Sequence, residues 1–177
     1  MARRIGIVAA GTCGLAILLS GVATAAGNPA DAPPVAREVS LRGHCDAPDS
    51  SRMVVALDDQ PRHELVQRVY SYAIASDDSK DFDGAVSTNY AQVDTIDGKG
   101  AHHGYAVWRL PGGDRVTIRF EGTQVERSAG AGNAPYAGEF TFTGGTGKYR
   151  NNRGHARYEG HTTPTCSEWT THVAIQY

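Results

Sequence analysis

The chain has no cluster of lysine and arginine residues, and its overall charge is close to balanced. Its 177 residues include 17 Lys and Arg against 19 Asp and Glu, which gives a formal net charge of −2. Nucleic-acid-binding domains normally carry a basic face that follows the phosphate backbone. We therefore expect neither nucleic acid nor an anionic membrane surface as a partner.

The sequence also lacks the usual motifs of metal sites and of serine hydrolases. It contains no Gly-x-Ser-x-Gly segment and no cysteine pair with zinc spacing. His102 and His103 are adjacent, so in a strand their side chains point to opposite faces. Residues 79–84 begin like a calcium loop, but they start with Ser79 and place Tyr90 where the loop needs Glu. We predict no metal site.

The only long apolar run, residues 5–19, is too short to span a bilayer, which needs about 20 apolar residues. Arg3 and Arg4 precede it, and Ala-Thr-Ala at residues 23–25 follows it, in the pattern that signal peptidase cleaves. We predict a signal peptide at residues 1–25, a flexible Pro- and Ala-rich linker at 26–36, and a secreted or periplasmic protein without a membrane anchor. The paired arginines leave open whether export uses the general or the twin-arginine route.

Cysteine is scarce, with three residues in the whole chain. Cys13 lies in the predicted leader, so the mature chain keeps Cys45 and Cys166. An even pair in an oxidising compartment favours one disulfide bond, with two unpaired thiols as the alternative. The bond would close a loop of about 120 residues and would tie the beginning of the domain to its end.

Most of the remaining chain has the pattern of β-strands. In residues 114–124, Val116, Ile118 and Phe120 alternate with polar residues, and a Pro-Gly-Gly turn at 111–113 joins this segment to residues 100–110. Two alternating runs around such a turn predict a hairpin. The other strands that we predict are residues 37–43, 53–57, 139–143, 154–161 and 168–177.

Residues 60–75 fit more than one element. Pro61 near a possible first turn, and Leu65, Val69 and Ala73 at helical spacing, favour a short helix that gives way to a strand. The same residues also allow a strand from Val69 onward. We predict the helix followed by the strand.

About seven or eight short strands joined by glycine-rich turns indicate a sandwich or a closed barrel. In an up-and-down barrel the first and last strands are neighbours, and a Cys45–Cys166 bond fits that arrangement. We therefore predict a single all-β domain at residues 37–177, folded as a closed antiparallel barrel.

The stretch "FTFTGGTGKYR", residues 140–150, looks at first like a phosphate-binding loop. That loop needs a glycine five positions before Gly147 and a Ser or Thr after Lys148, where this chain has Phe142 and Tyr149. Phe and Thr alternate up to the glycines, as in a strand that arrives at a turn. We predict a turn without a bound phosphate.

The segment "GGTGKYRNNRG" at residues 144–154, with "GEFTFT" before it and "HARYEG" after it, resembles the glycine-rich turn of the allene oxide cyclase-like and dirigent-like β-barrels. The resemblance implies an eight-stranded antiparallel barrel with a largely apolar cavity. Members of this group include cyclases and proteins that steer the coupling or cyclisation of small apolar molecules, without metal or organic cofactor. Residues 37–104 carry no matching motif, so no catalytic residue of the family can be transferred to this chain.

Polar side chains on the central hairpin are the candidate catalytic groups. Glu121 would shuttle a proton, Arg119 would hold an oxyanion, and Tyr105 or His103 would hydrogen-bond the substrate. These roles require that the polar face of the hairpin lines the cavity. In the alternative, that face meets water, because antiparallel sheets usually solvate one side and buried charges are costly.

Four aromatic residues are the candidate ligand-binding groups: Trp108, Phe120, Tyr158 and Trp169. In the alternative reading, Phe120, Tyr158 and Trp169 fill the barrel. We predict an exported barrel that binds a small, mostly apolar molecule, either as a cofactor-free cyclase or isomerase or as a dirigent-like protein. A lipocalin-like carrier and a structural barrel with a filled core are the alternatives, and whether the protein is an enzyme stays open.

Overall fold

The computed structural model describes residues 36–45, 49–124, 134–162 and 167–176, all of which belong to one compact unit. No helix in these ranges has the length and apolar character needed to cross a membrane. The elements, in chain order, are β1 (Ala36–His44), β2 (Ser51–Leu57), β3 (His63–Ala75), β4 (Ala85–Ile96), β5 (Lys99–Arg109), β6 (Arg115–Gln124), β7 (Ala134–Gly145), a 3₁₀ turn (Gly147–Tyr149), β8 (Gly154–Thr162) and β9 (Ser167–Gln176).

Eight of these strands form a closed antiparallel barrel, as the sequence predicted. Neighbouring strands pair in the order β1-β9-β8-β7-β6-β5-β4-β3, and β1 then pairs with β3 to close the ring. β1 pairs with β9 over nine residue pairs but with β3 over only three, from Arg42↔Ala75 to His44↔Ala73. β2 is a ninth strand, which continues along the free part of β3 beyond the point where β1 leaves it.

The predicted helix at the start of residues 60–75 is wrong. A turn ends at Arg62, whose φ of 59° is left-handed, and β3 starts at His63. Residues four apart share a face in a strand as well as in a helix, so the spacing of Leu65, Val69 and Ala73 does not distinguish the two. Pairing with β2 on one side and β4 on the other decides for the strand.

β4 is a strand that the sequence analysis did not find. Its inward side chains are buried, but most of them are small or polar: Ala85, Ser87, Asn89, Ala91, Val93 and Thr95. The contrast between an apolar and a polar face, which reveals an amphipathic strand, is therefore weak in this segment.

One end of the barrel, which we call the closed end, is filled by aromatic side chains. Phe82, from the turn between β3 and β4, meets Trp108 at a ring-centroid distance of 6.1 Å and Tyr149 at 5.6 Å. Phe142 packs on Trp108 at 5.9 Å. Each of the four residues is only about 1% exposed, so this half of the barrel interior is a packed core.

The glycine-rich segment forms the connection that carries Tyr149 into this core. β7 ends at Gly145, and Gly144 and Gly147 have positive φ angles of 137° and 52°. Lys148 Nζ forms an ion pair with the Asp81 carboxylate at 2.6 Å, and the Tyr149 hydroxyl donates to the same carboxylate at 3.1 Å. The segment holds the closed end of the barrel together.

Candidate functional site

A cavity of about 60 Å³ lies in the other half of the barrel. We call this half the open end; β6 ends there at Gln124 and β7 begins there at Ala134. The side chains around the cavity are mainly aromatic, with polar groups between them: Arg68, Tyr70, Tyr72, Asn89, Ala91, Val93, His102, Phe120, Gln124, Tyr136, Phe140, Tyr158, Thr162, Ser167 and Trp169. Arg68, Gln124 and Thr162 are only half-buried, so the cavity reaches solvent beside them.

Stacked rings form the floor of the cavity. Phe140 and Tyr158 stack with centroids 4.4 Å apart, and Trp169 meets Phe140 edge-on at 5.3 Å. Below them, Trp169 stacks on Trp108 at 5.9 Å with an angle of 14° between the ring planes. Such ring pairs stabilise the fold beyond the area that they bury, so the floor is a fixed apolar surface.

A histidine and a tyrosine share a hydrogen bond in the cavity wall. His102 Nε2 lies 2.5 Å from the Tyr158 hydroxyl, which also donates to the Glu121 carbonyl oxygen at 3.3 Å. Burial, with smaller effects from the positive charges of His103 and Arg68, lowers the pKa of His102 to about 4. The imidazole is therefore uncharged near neutral pH.

Glycine makes room for this pair. A Cβ at Gly138 would overlap the Tyr158 hydroxyl and would lie 2.6 Å from its Cζ, and a Cβ at Gly122 would lie 2.8 Å from His102 Nε2. Both glycines belong to the strands that pair directly between His102 and Tyr158. The two rings therefore lie flat against bare backbone.

Further hydroxyl groups surround the cavity. The Tyr72 hydroxyl lies 2.5 Å from Ser167 Oγ, and the Tyr136 hydroxyl donates to the Glu168 carbonyl oxygen at 2.9 Å. Burial raises the pKa of Tyr72, Tyr136 and Tyr158 above the usual phenol value. These phenols remain protonated and uncharged, and each already forms a hydrogen bond within the protein.

Arg68 is the single lysine or arginine among the described lining residues, and none of them is Asp or Glu. Its Nη2 donates to the Asp49 carboxylate at 2.6 Å, and its guanidinium lies 4.5 Å from the centroid of the Tyr70 ring. The charge is thus balanced by Asp49 and rests on an aromatic face, an arrangement that stabilises a guanidinium. The cavity carries little net charge.

The candidate catalytic residues predicted from the sequence do not line this cavity. Arg119 and Glu121 form an ion pair at 2.6 Å on the outer face of β6, with side chains 52% and 58% exposed. Tyr105 is 62% exposed, and His103 is exposed beside it on β5. The sequence left open whether the polar face of the hairpin lines the cavity or meets water. In the structure it meets water.

On the outer face of the hairpin, the four candidate catalytic residues form two cross-strand pairs. His103 and Glu121 lie directly opposite each other in the β5–β6 pairing, in a shallow outer groove that Glu139 and Arg157 extend. Tyr105 is paired instead with Arg119, two residues further along the strands.

The candidate aromatic residues do lie inside the barrel. Phe120, Tyr158 and Trp169 line the cavity, and Trp108 supports Trp169 from below. Sequence reasoning missed the interior roles of His102, Tyr72 and Tyr136. The available signal was that His102 shares the face of Trp108, whereas His103 shares that of Tyr105.

Together these features define a closed antiparallel barrel with one packed half and one half that encloses an aromatic-lined cavity of little net charge. No family model matches the chain, and no curated protein matches it. Two solved structures to which it is similar are the pterocarpan synthase dirigent proteins GePTS1 and PsPTS1. The first is 15% identical, with 81% of this chain and 89% of that chain covered and a TM-score of 0.48. The second is 12% identical, with 82% and 96% covered and a TM-score of 0.46.

Both neighbours are dirigent proteins. The barrel itself is established by the strand pairing of this chain.

Proposed function

We propose that the protein binds a small, mostly apolar molecule in the cavity at the open end of the barrel. The observation that carries this proposal is the contrast between the two halves. The closed end is packed with rings, whereas the open end keeps a space between rings of the same kind. A purely structural barrel with a filled core has no need for that space.

The size of the cavity limits the ligand. Its volume of about 60 Å³ is well below the roughly 300 Å³ or more that encloses a drug-sized compound. The ligand is therefore either a single small ring or a longer molecule whose polar end extends past Arg68, Gln124 and Thr162 into solvent.

The chemistry of the lining favours an uncharged ligand with at least one hydroxyl or carbonyl group. The tyrosine hydroxyls and the neutral His102 provide hydrogen bonds, and the stacked rings provide the apolar contact. A ligand with a free charge would lose its hydration without gaining an opposite charge inside the cavity.

The lipocalin-like carrier requires only this binding. A cofactor-free cyclase or isomerase needs in addition a group that moves a proton, and one observation favours such a group: the hydrogen-bonded pair of His102 and Tyr158 lines the cavity. In that version the pair takes the role that the sequence analysis gave to Glu121, Arg119, Tyr105 and His103. Because burial lowers the pKa of His102 and raises that of Tyr158, the imidazole would accept a proton only from an acidic substrate group and the phenol would donate one only to a strongly basic group.

Binding of small fluorinated aromatics tests the proposal. We expect 4-fluorophenol and fluoroacetophenone to show broadened fluorine NMR signals with the protein. We expect Ala91→Phe, which fills the cavity, to weaken the affinity more than about tenfold. The exposed pair provides the control, since Arg119→Gln and Glu121→Gln should leave the affinity unchanged. Equal binding to the filled variant, or loss of binding in the control, would place the ligand outside the barrel.

We also propose that the chain is exported and carries a Cys45–Cys166 bond. Residues 1–35 and Cys166 lie outside the described residues. The described neighbour of Cys166 supports the pairing: Ser167 N donates to Cys45 Sγ at 3.1 Å, and Cys45 N donates to the Ser167 carbonyl oxygen at 3.3 Å. The intact mass of the protein from an exporting host tests the cleavage near residue 25.

A further inference from the structure

β2 presents an open edge. It pairs with β3 along one side, and no described strand pairs with its other side. Six of its seven residues are exposed, including Met53 at 52%, Val54 at 40% and Val55 at 39%. An edge with free backbone N–H and C=O groups is a template for another strand, and natural proteins usually protect it with charge or proline. Here the middle of the edge is apolar.

Large apolar side chains are exposed on the edge strand and on two further strands of the same side of the sheet. The large hydrophobic side chains that are exposed in the described part of the chain all lie on β2, β4 and β5: Met53, Val54, Val55, Val86, Tyr90, Ile96 and Tyr105. The outer faces of β6 to β9 carry charged pairs such as Arg119–Glu121 and Arg157–Glu139 instead. One half of the barrel therefore exposes more large apolar side chains than the other.

Two charged residues near the edge, Arg52 and Glu64, have no ion-pair partner among the described residues. Arg52 lies directly opposite Arg68 in the β2–β3 pairing, and like charges in that position repel. Arg68 is already paired with Asp49, whereas no ion pair joins Arg52 to any described residue. The same holds for Glu64, which lies opposite Ala56 at the far end of the same pairing.

We propose that a second copy of the chain pairs with β2 through its own β2, antiparallel and with a two-fold axis at Val54. In this register Val54 meets Val54 of the second copy, and Met53 meets Val55. An isologous edge pairing of this kind is self-complementary by symmetry. The two barrels then share a continuous sheet through β3, β2 and the second copy's β2 and β3.

The charges of Arg52 and Glu64 favour this register over others. Arg52 lies opposite Ala56 of the second copy, and the neighbour of that alanine on β3 is Glu64. Arg52, Ala56 and Glu64 share one face of the sheet, because they occupy corresponding positions in the two paired rows. The long side chain of Arg52 extends over Ala56 of the second copy and reaches the carboxylate of its Glu64. The two-fold symmetry produces a second, identical contact. The pairing thus satisfies all four charges.

Sedimentation velocity over a range of protein concentrations tests the proposal with charge reversals. We expect the parent protein to show a monomer–dimer equilibrium. Arg52→Glu and Glu64→Arg should each weaken the dimer about tenfold, since each creates two like-charge contacts. The double reversal should restore the parent affinity to within about threefold. Arg52 and Glu64 are at opposite ends of the β2–β3 pairing in one chain, so only contact between copies produces this rescue.

A second pair of variants separates the edge from the broad apolar face. Val54→Lys places two lysines together at the two-fold axis and should abolish the dimer, whereas Tyr105→Lys on β5 should leave it intact. Unchanged thermal unfolding of each variant shows that the barrel persists. A monomer at every concentration would overturn the proposal. So would failure of the double reversal to restore the dimer, or a dimer that survives Val54→Lys.

Discussion

At the scale of single residues, Gly104 is a position on β5 where the β4 backbone and the ring of Phe120 leave no room for a side chain. A Cβ at this position would overlap the Tyr90 carbonyl oxygen and would lie 2.8 Å from Phe120 Cζ and 3.0 Å from Ala91 Cα. Two of these atoms belong to the backbone, which cannot rotate aside as a side chain can. We expect Gly104→Ala to lower the free energy of unfolding by about 1–3 kcal/mol, measured by urea denaturation.

Gly112 supplies the matched control for that measurement. It lies in the turn between β5 and β6, where a Cβ would meet no atom within 4 Å. Its φ is not positive, in contrast to that of Gly113. We expect Gly112→Ala to change the unfolding free energy by less than about 0.5 kcal/mol. Similar losses at both positions would show that close approach is not the reason for glycine at 104.

The two faces of β5 show what a residue pattern predicts and what it does not. Alternation assigns His103 and Tyr105 to one face of β5 and His102 and Trp108 to the other, and the structure keeps these sets. The pattern does not say which set points inward, because a strand turned over exposes the opposite set. Buried polar residues on the inner face, such as His102, weaken the hydrophobic contrast that would have decided it. The candidate catalytic residues were therefore chosen from the outer face.

At the scale of elements, the turn between β2 and β3 is fastened to β4 by one histidine. His63 Nδ1 lies 2.6 Å from Asp59 in the turn, and His63 Nε2 lies 2.8 Å from Asp94 on β4. The hydrogen bond to Asp94, followed by that to Asp59, raises the pKa of His63 above its ordinary value. The imidazolium form therefore links two carboxylates across two elements.

This contact makes the stability of the hairpin depend on pH. Because the folded-state pKa of His63 is above the unfolded value of about 6.5, its stabilising contribution is complete below that pH. The contribution is lost as the pH rises through the folded-state pKa. We expect His63→Gln to lower the melting temperature at about pH 5.5 and to have less effect at about pH 8.5. Thermal melts of both proteins across this range provide the measurement.

Asp94→Asn is the control for the same effect. It removes the first cause of the raised pKa and keeps the histidine, so the pH dependence should become smaller without disappearing. If the melting temperatures of the parent and His63→Gln differ by the same amount at all pH values, the imidazolium link contributes nothing.

Strands marked by a turn motif and by alternation in the sequence were predictable. Strands whose conformation depends on pairing with segments distant in the sequence were not. The β5–β6 hairpin follows from its Pro-Gly-Gly turn and from the alternation on both sides, and both elements are present. β3 has a spacing that fits a helix or a strand, and only its pairing with β2 and β4 selects the strand. Two rings of the cavity floor, Tyr158 and Trp169, were among the predicted aromatic residues. The hydrogen bond of Tyr158 on β8 to His102 on β5 joins residues 56 positions apart and required the three-dimensional structure.

At the scale of the whole molecule, the barrel is closed by a short seam. Three residue pairs join β1 to β3, at Arg42, Gly43 and His44. Cys45 follows immediately, and its hydrogen bonds to Ser167 lie beside the cavity that Ser167 lines. The proposed bond to Cys166 would hold β1 and β9 together at the point where the seam ends.

We expect the free energy of unfolding of the double variant, Cys45→Ala with Cys166→Ala, to be about 2–5 kcal/mol lower than that of the parent. The reason is that the cross-link restricts the unfolded chain. The loss should be accompanied by faster hydrogen exchange in β1 and in residues 73–75, since these form the seam. Peptide mass spectrometry under non-reducing conditions identifies the linked peptides, and the reduced parent protein should match the double variant in stability. Free thiols at both positions, or equal exchange at the seam in the two proteins, would mean that the barrel closes through its strand pairing alone.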